Sequence, residues 1–357
     1  MATIRDVARA SRVSVATVSR VFNDSARVSD DTRLRVVTAA DRMGYWPNAA
    51  ARSLITNRTY ALGVLLPDLH GEFFSEVIRG IDSAARQRKH HLLVSSFSSS
   101  PDDLTAAVRA LRGRVDGLIV MIPDLDASSV LGPGVGAIPT VFLNPEHAVP
   151  ERDSISIANF DGAHAIVNHL LGLGHRRIAT IMGPERNIDA RQRLEGYRAA
   201  LKGAGLQPSP DLEVRGHFNE RSGYEAAVEL LKRSPRPTAI FVANDPMAVG
   251  VLGALQDAKV RVPEQMAVAG FDDIPMARYL TPPLTTVHVD MLQLGQRAVQ
   301  LLLDPRDATV VARHEVLATT LVVRGSCGTK PPRQAASRVR WERRQAVAAV
   351  PNRGLKT

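Results

Sequence analysis

The amino-acid sequence predicts a small all-α helix-turn-helix headpiece followed by a two-lobed α/β core with doubly wound parallel sheets. Before residue 44, apolar residues recur at helical spacing in three short segments. From residue 60 onward, short β-rich apolar runs alternate with amphipathic stretches, which is typical of parallel sheets covered by helices on both faces. The segments 60–97 and 178–218 each follow the order strand, loop, helix, strand, so two similar lobes are predicted.

Residues 4–23 predict two short helices joined by a tight turn. Thr3 and Asp6 form a capping-box pair at the first helix, and Ser14 is expected to cap the second. The apolar residues expected to pack the two helices together are Ile4, Val7, Ala8, Val18 and Val21. The opposite face of the second helix carries Val15, Ala16, Ser19 and Arg20. Such a face suits a DNA major groove, although an ordinary helical hairpin is the alternative interpretation.

A third amphipathic helix is predicted over residues 29–43, with Ser29 as its N-cap. Leu34, Val37 and Met43 are expected to complete a three-helix core. Residues 1–58 contain ten arginines and five aspartates, and this net charge of +5 suits a polyanion such as DNA.

The core is predicted to alternate strands and helices along its whole length. The strand candidates are 60–66, 91–97, 115–122, 138–143, 154–158, 176–182, 212–218, 238–243, 266–271, 284–289 and 314–323. The helix candidates are 74–88, 102–112, 161–173, 190–204, 221–233, 245–258 and 290–303. Ligands bind at the carboxyl edges of such sheets, so a cleft between the two lobes is the expected binding site.

Composition argues against several classes of protein. The 357 residues suffice for two or three domains, and no run of 18 apolar residues predicts a membrane span. The single cysteine, Cys327, excludes an internal disulfide framework, and the ten histidines lack metal-binding spacing. Without a signal segment, a cytoplasmic protein is expected, and no cofactor or metal is predicted.

The C-terminal segment 328–357 is predicted to be a disordered basic tail, because it has eight Lys or Arg and one Glu. It lacks leucine heptads, so a tetramerising helix bundle is not expected. An inert solvated tail and a tail with auxiliary non-specific DNA affinity are the alternatives. Since the chain carries +9, and its two ends +5 and +7, the residues between them carry −3.

Four short motifs occur in a specific order near the N-terminus. They are Thr3-Ile-Arg-Asp-Val-Ala8, Val13-Ser-Val-Ala-Thr-Val-Ser-Arg20, Gly44-Tyr-Trp-Pro-Asn48 and Ala51-Arg-Ser-Leu54. By these motifs the chain resembles the LacI/GalR family of bacterial transcription regulators, and the resemblance extends over residues 2–326. It implies a repressor of a carbohydrate-utilisation operon that binds double-stranded DNA as a homodimer on a palindromic operator.

The resemblance also implies the division of the chain. The expected parts are a DNA-binding headpiece (1–47), a hinge helix and linker (48–58), a periplasmic-binding-protein-like core (59–327) and the tail (328–357). The N-lobe is expected at 59–159 plus 290–320 and the C-lobe at 160–289, with crossings near Asn159, His288–Asp290 and 318–322. The hinge is expected to fold only on DNA, with Leu54 wedged into a minor-groove base step.

Two sets of contact residues follow from the motifs. The expected DNA contacts are Thr3, Ser14, Val15, Ala16, Thr17, Ser19, Arg20, Asn23, Ser29, Asn48, Ala51, Arg52 and Leu54. The expected effector contacts are Phe73, Phe74, Arg193, Phe218, Asn244 and Asp272. A carboxylate, an arginine and aromatic faces suit a sugar, and a nucleobase stacked on phenylalanine is the alternative. Ala158 and Val289 stand where polar residues occur in the family, so the resemblance does not identify the effector.

Taken without the resemblance, these residues have plainer interpretations. The phenylalanines fit a core, Asp272 a turn or helix cap, and Arg193 a solvated helix surface. Two other functions also compete with a DNA-binding repressor. A solute-binding protein of the same fold would need an export signal and no Arg20, and an enzyme would need a nucleophile, phosphate-loop or metal motif that the sequence lacks. The effector is expected to weaken DNA binding.

Overall fold

The computed structural model describes residues 2–22, 28–46, 58–98, 100–125, 138–147, 149, 151–305 and 312–328. Five predicted DNA contacts lie outside the described residues: Asn23, Asn48, Ala51, Arg52 and Leu54. The predicted basic tail also lies outside them, apart from Gly328. None of the helices in the described ranges is both long and apolar enough to cross a membrane.

The headpiece is a three-helix unit, as predicted. Its helices are α1 (Ile4–Ala10), α2 (Val15–Phe22) and α3 (Asp30–Arg42). The capping box is present, because the Asp6 N–H donates to Thr3 Oγ1 (3.4 Å) and the Thr3 N–H donates to Asp6 Oδ2 (3.0 Å). Ser14 Oγ accepts the Thr17 N–H at 3.1 Å, which confirms the predicted cap of α2. The buried core consists of Val7, Ala8, Val18, Val21, Val36 and Ala40.

Two predictions for α3 are wrong. Leu34, Val37 and Met43 are 68%, 37% and 38% exposed, while Val36 and Ala40 are buried in their place. Leu34 is two positions from Val36, which is about 200° around a helix of 3.6 residues per turn. Ser29 occupies the N-cap position, but its hydroxyl donates to Thr32 Oγ1 (3.0 Å) and makes no cap hydrogen bond.

The core consists of alternating strands and helices, which confirms the predicted α/β class. The strands are β1 (Ala61–Leu66), β2 (His91–Ser96), β3 (Gly117–Met121), β4 (Thr140–Leu143), β5 (Asp153–Ile157), β6 (Ile178–Met182), β7 (Glu213–Arg215), β8 (Ala239–Val242), β9 (Ala267–Ala269), β10 (Thr286–His288), β11 (His314–Leu317) and β12 (Thr320–Val322). The helices are α4 (Glu72–Gln87), α5 (Pro101–Leu111), α6 (Asn159–Gly172), α7 (Ile188–Gly203), α8 (Glu220–Leu231), α9 (Asp245–Asp257) and α10 (Met291–Leu303).

The strands form two parallel sheets, one in each lobe. The N-lobe sheet has the order β11-β5-β4-β3-β1-β2, and the C-lobe sheet has the order β7-β6-β8-β9. The chain passes from one sheet to the other after Ile157, and β10 and β12 pair as a separate antiparallel ribbon. The predicted strand 314–323 is therefore two strands in different sheets, because the chain leaves the N-lobe sheet after Leu317.

Two helices of the N-lobe that are distant in sequence pack closely against each other. α4 and α10 pack through glycines, and a Cβ on Gly80 would lie 2.1 Å from the Leu292 carbonyl oxygen. A Cβ on Gly295 would lie 2.3 Å from the Val77 carbonyl oxygen. A side chain at either position would force the helices apart, so the second N-lobe segment is fixed against the first.

Val36→Ala is expected to lower the local unfolding free energy of the headpiece by about 2 kcal/mol, because it removes buried methyl groups and leaves a cavity. The control is Leu34→Ala, which removes an exposed side chain of the same helix and is expected to cost less than about 0.5 kcal/mol. Hydrogen exchange of the amides of α1 and α3 in the full-length protein measures both. Equal effects would contradict the headpiece core described above.

Candidate functional site

The headpiece presents one exposed face of α2. Val15, Ala16 and Arg20 are exposed on it, and Ser19 and Thr17 are half-buried. The opposite face holds the fully buried Val18, as predicted. α3 supports the end of α2, because Arg33 Nη1 donates to the Val21 carbonyl oxygen at 3.2 Å. The exposed face therefore projects from a fixed helix, which is the arrangement that groove recognition requires.

Three hydroxyl groups among the predicted DNA contacts, those of Thr3, Ser14 and Thr17, already bond within the headpiece. The Thr3 hydroxyl donates to Asp6 Oδ2 at 2.7 Å. Ser14 Oγ lies 2.9 Å from Thr17 Oγ1. Each of these bonds joins residues three positions apart at a helix start, so these side chains hold the helix ends in place.

A cavity of about 350 Å³ lies between the two lobes. Residues that follow β1 and β3 line it from the N-lobe, and residues that follow β6, β7, β8 and β9 line it from the C-lobe. The cavity is therefore at the carboxyl edges of both sheets, where α/β proteins bind ligands. All six predicted effector contacts line it: Phe73, Phe74, Arg193, Phe218, Asn244 and Asp272.

Arg193 is buried at the base of the cavity and is 3% exposed. Its Nε donates to Asn159 Oδ1 (2.8 Å) and its Nη1 donates to the Ala243 carbonyl oxygen (2.6 Å). Its Nη2 lies 3.1 Å from Asp272 Oδ1. The guanidinium carbon also lies 3.8 Å from the ring centroid of Phe271, a cation–π contact. The solvated-surface interpretation of Arg193 is therefore wrong.

Asp272 is also buried, with 4% exposure, and its backbone is in the left-handed region at φ 112°. The Asp272 N–H donates to the Val287 carbonyl oxygen (2.8 Å), and its own carbonyl oxygen accepts the Val289 N–H (3.2 Å). Burial raises the pKa of Asp272 to about 6, an effect that Arg193 opposes and Asp189 increases. A buried, strained and charged residue of this kind is typical of a functional site.

The other predicted effector contacts lie on different elements at the cavity. Phe73 and Phe74 lie in the first turn of α4, half-buried, with ring centroids 5.4 Å apart in an edge-to-face pair. Phe218 does not end a strand as predicted, because β7 stops at Arg215 and Phe218 has φ 59°. Asn244 caps α9 through the Met247 N–H (3.1 Å) and donates to the Phe218 carbonyl oxygen (3.1 Å), so its side chain holds the cavity wall.

A second group of polar residues at the cavity was not predicted from the sequence. Asp189 is buried and accepts hydrogen bonds from Asn144 Nδ2 (2.9 Å) and Asn159 Nδ2 (2.7 Å). Asp124 and Asn187 line the same cavity, and the Asn187 side chain hydrogen-bonds to Asp124. Asp124 and Asn144 each follow a predicted strand closely, so their position at a carboxyl edge was the signal that could have found them.

Two family models match the chain. Residues 3–48 match "Bacterial regulatory proteins, lacI family", and residues 167–327 match "Periplasmic binding protein-like domain". The ribose operon repressor of Escherichia coli (strain K12) is 36% identical over 329 residues, which cover 91% of this chain and 100% of that protein. The chain belongs to the lacI family of bacterial regulatory proteins.

Other lacI-family proteins show the same extent of similarity. The HTH-type transcriptional repressor PurR of Haemophilus influenzae (strain PittEE) is 36% identical over 308 residues, covering 85% of this chain and 91% of that protein. A crystal structure of the lac repressor dimer bound to operator and the anti-inducer ONPF has 32% identity and a TM-score of 0.81. It covers 91% of this chain and 99% of its own. The predicted family and fold class are confirmed.

Asp272→Asn is expected to change how stability depends on pH. Because burial raises the pKa of Asp272 to about 6, the folded protein binds this proton more tightly than the unfolded chain. The stability contributed by that proton is present below about pH 4 and is lost as the pH rises through about 6. From pH 4 to pH 7, the variant should gain about 3 kcal/mol relative to the wild type.

Urea unfolding of the core at pH 4, 5, 6 and 7 measures this difference. The matched control is Asp257→Asn, which changes an exposed carboxyl at the end of α9. Its difference from the wild type at each pH gives the effect of removing one surface carboxylate, which is subtracted from that of Asp272→Asn. A pH-independent difference for Asp272→Asn would show that this carboxyl titrates alike in the folded and unfolded states.

Proposed function

We propose that this protein is a DNA-binding transcriptional repressor controlled by a small molecule that binds between the lobes. The observation that carries the proposal is the combination, in one chain, of an exposed helix face on the headpiece and a polar cavity between two lobes. The relatives named above are transcriptional repressors. We place its action in the cytoplasm, where the operator DNA is.

The headpiece supports recognition of one half of a palindrome. Arg20 is exposed on α2 one turn after Ala16, and a guanidinium there can donate two hydrogen bonds to one guanine. The lac repressor is a dimer bound to operator in its crystal structure. By analogy, we propose a homodimer in which two headpieces bind a palindromic operator, with residues 48–58 as the hinge.

The cavity supports a sugar as the effector. Asp272 offers a carboxylate for hydroxyl groups, and three half-buried phenylalanines offer flat faces for the C–H side of a ring. The ribose operon repressor is the relative that points to a carbohydrate operon. Phenylalanines also stack on nucleobases, so a nucleobase is the second candidate. We propose that the effector binds across both lobes and weakens DNA binding.

Arg20→Ala is expected to cost about 1–3 kcal/mol per half-site and to relax the preference at one G·C pair. A gel-shift titration on the promoter of the protein's own gene, with single-base operator variants, measures both effects. Arg221→Ala, which removes an exposed charge on α8, controls for net charge and should leave affinity and selectivity unchanged. Unchanged binding by the Arg20 variant would contradict this docking mode.

Asp272→Ala is expected to weaken sugar binding by about 10- to 100-fold, because hydrogen bonds to a charged group contribute about 1.5–3 kcal/mol. Calorimetry with a panel of sugars and nucleobases on the full-length protein tests this, with Asp257→Ala as the surface control. Equal affinity of a sugar for wild type and variant would remove Asp272 from the site. Binding of a nucleobase alone would reject the sugar while leaving the repressor proposal intact.

A further inference from the structure

Six of the residues that line the interlobe cavity are acidic, and both lobes supply them. The six acidic lining residues are Asp68, Glu72, Asp124, Asp189, Glu220 and Asp272. Among the lining residues that the structure describes, Arg193 is the one Lys or Arg, and His70 and His217 are the other basic groups. A ligand that enters this cavity therefore meets many hydrogen-bond acceptors and one guanidinium.

The Arg193 guanidinium already has partners within the protein. Each of its three nitrogens has a partner, in Asn159, the Ala243 carbonyl oxygen and Asp272. An anionic ligand would have to compete with the Asp272 carboxylate for Arg193, since both anions would pair with the same guanidinium. Among the lining residues that the structure describes, the cavity thus offers a phosphate or carboxylate ligand no Lys or Arg that is not already paired.

Two of the acidic lining residues, Asp124 and Asp189, lie next to a hydrogen bond that joins the lobes. The Ile188 N–H of the C-lobe donates to the Pro123 carbonyl oxygen of the N-lobe at 2.8 Å. Asp124 and Asp189 are the next residues on either side of this bond, and Asn187 hydrogen-bonds to Asp124 across the same boundary. Burial raises the pKa of Asp189, and the neighbouring charge of Asp124 raises it further. The two lobes therefore meet beside two acidic residues whose charges influence each other.

The Asp272 carboxylate lines the cavity and pairs with Arg193 as its cationic neighbour. Asp272 Oδ1 has no hydrogen bond of normal geometry, although Arg193 Nη2 lies 3.1 Å away. A carboxylate in a cavity wall binds a ligand by accepting a hydrogen bond from it. A hydroxyl group can do so, whereas a phosphate or carboxylate oxygen cannot.

We propose that Asp124 and Asp189 form a selectivity filter that admits uncharged polyhydroxylated ligands and rejects their phosphorylated or carboxylated derivatives. The inference rests on the proposed effector site, and it assigns a specific role to two residues of that site. Hydroxyl groups of a neutral sugar donate hydrogen bonds to carboxylates of both lobes and so relieve the repulsion between them. A phosphate ester adds charge of the same sign to a confined space, where such repulsion is poorly screened.

Calorimetry on the full-length protein tests the filter with matched pairs of ligands: D-ribose and D-ribose 5-phosphate, D-glucose and D-glucose 6-phosphate, and D-galactose and D-galactose 6-phosphate. At least one uncharged sugar is expected to bind, and its phosphate at least about 100-fold more weakly, a difference of about 2.7 kcal/mol. Equal or tighter binding of a phosphate overturns the proposal. A panel in which no uncharged sugar binds also overturns it.

Asp124→Asn is the variant that isolates the filter, because it removes one charge and keeps the size of the side chain. It is expected to reduce the ratio of the two dissociation constants, that of the sugar phosphate over that of the sugar, at least about tenfold. Most of this change should come from tighter binding of the phosphate. Asp189→Asn is less suitable, because Asn144 and Asn159 both donate to Asp189 and would meet a new donor. Asp257→Asn on the surface of α9 controls for net charge and should leave this ratio unchanged.

Gel-shift titrations with the same preparations separate failure of the filter from failure of the proposed function. Intact binding of operator DNA by the wild type and by Asp124→Asn shows that the variant is folded and that the regulator proposal holds. If the ratio of the two dissociation constants is then the same in Asp124→Asn as in the wild type, Asp124 is not part of a filter. Loss of DNA binding by the wild type would contradict the proposed function instead.

Discussion

The charged side chain of Arg193 is buried, with only 3% of the residue exposed, and the surrounding elements supply the groups that bind it. Its partners come from the crossover at Asn159, from the end of β8 at Ala243 and from the loop after β9 at Asp272. Removing one partner of a buried ion pair typically costs about 3–5 kcal/mol, because it leaves an uncompensated charge. The walls of the cavity therefore depend on this guanidinium, and a ligand in the cavity must bind without displacing it.

Four of the non-glycine residues with positive φ line the cavity or contact residues that line it. Asn144, Phe218, Asp272 and Asp273 all have positive φ, at 49°, 59°, 112° and 57°, although none of them is glycine. Such conformations cost about 1–3 kcal/mol each and persist where surrounding bonds impose them. Here the bonds are visible, since Arg324 Nη2 donates to Asp273 Oδ1 at 2.6 Å and Asn144 donates to Asp189. These bonds hold the residues at the cavity in backbone conformations that they would not readily adopt alone.

Hydrophobic periodicity predicted the order and type of the core elements. The helices that cover a sheet bury one face, so their apolar residues recur every 3.6 residues and distinguish them from the short apolar strands. Periodicity failed in α3, where Val36 and Leu34 are both apolar and only three-dimensional packing selects Val36. It also joined β11 and β12, since a crossover between lobes leaves no mark in a continuous apolar run. The motifs located Arg193 and Asp272, whereas Asp124 and Asp189 belong to no motif and become neighbours only when the lobes meet.

Strands β1 and β3 run from the start of the core, next to the expected linker, to the cavity. Asp116 accepts hydrogen bonds from the Thr59 N–H (2.6 Å), the Thr59 hydroxyl (2.8 Å) and the Tyr60 N–H (2.8 Å), so it fixes the chain where the core begins. β1 and β3 start beside this carboxylate and pair in parallel, and the residues that follow them line the cavity. A six-residue strand spans about 20 Å. Because the two strands pair along their length, they connect the cavity directly to the residues at which the core begins.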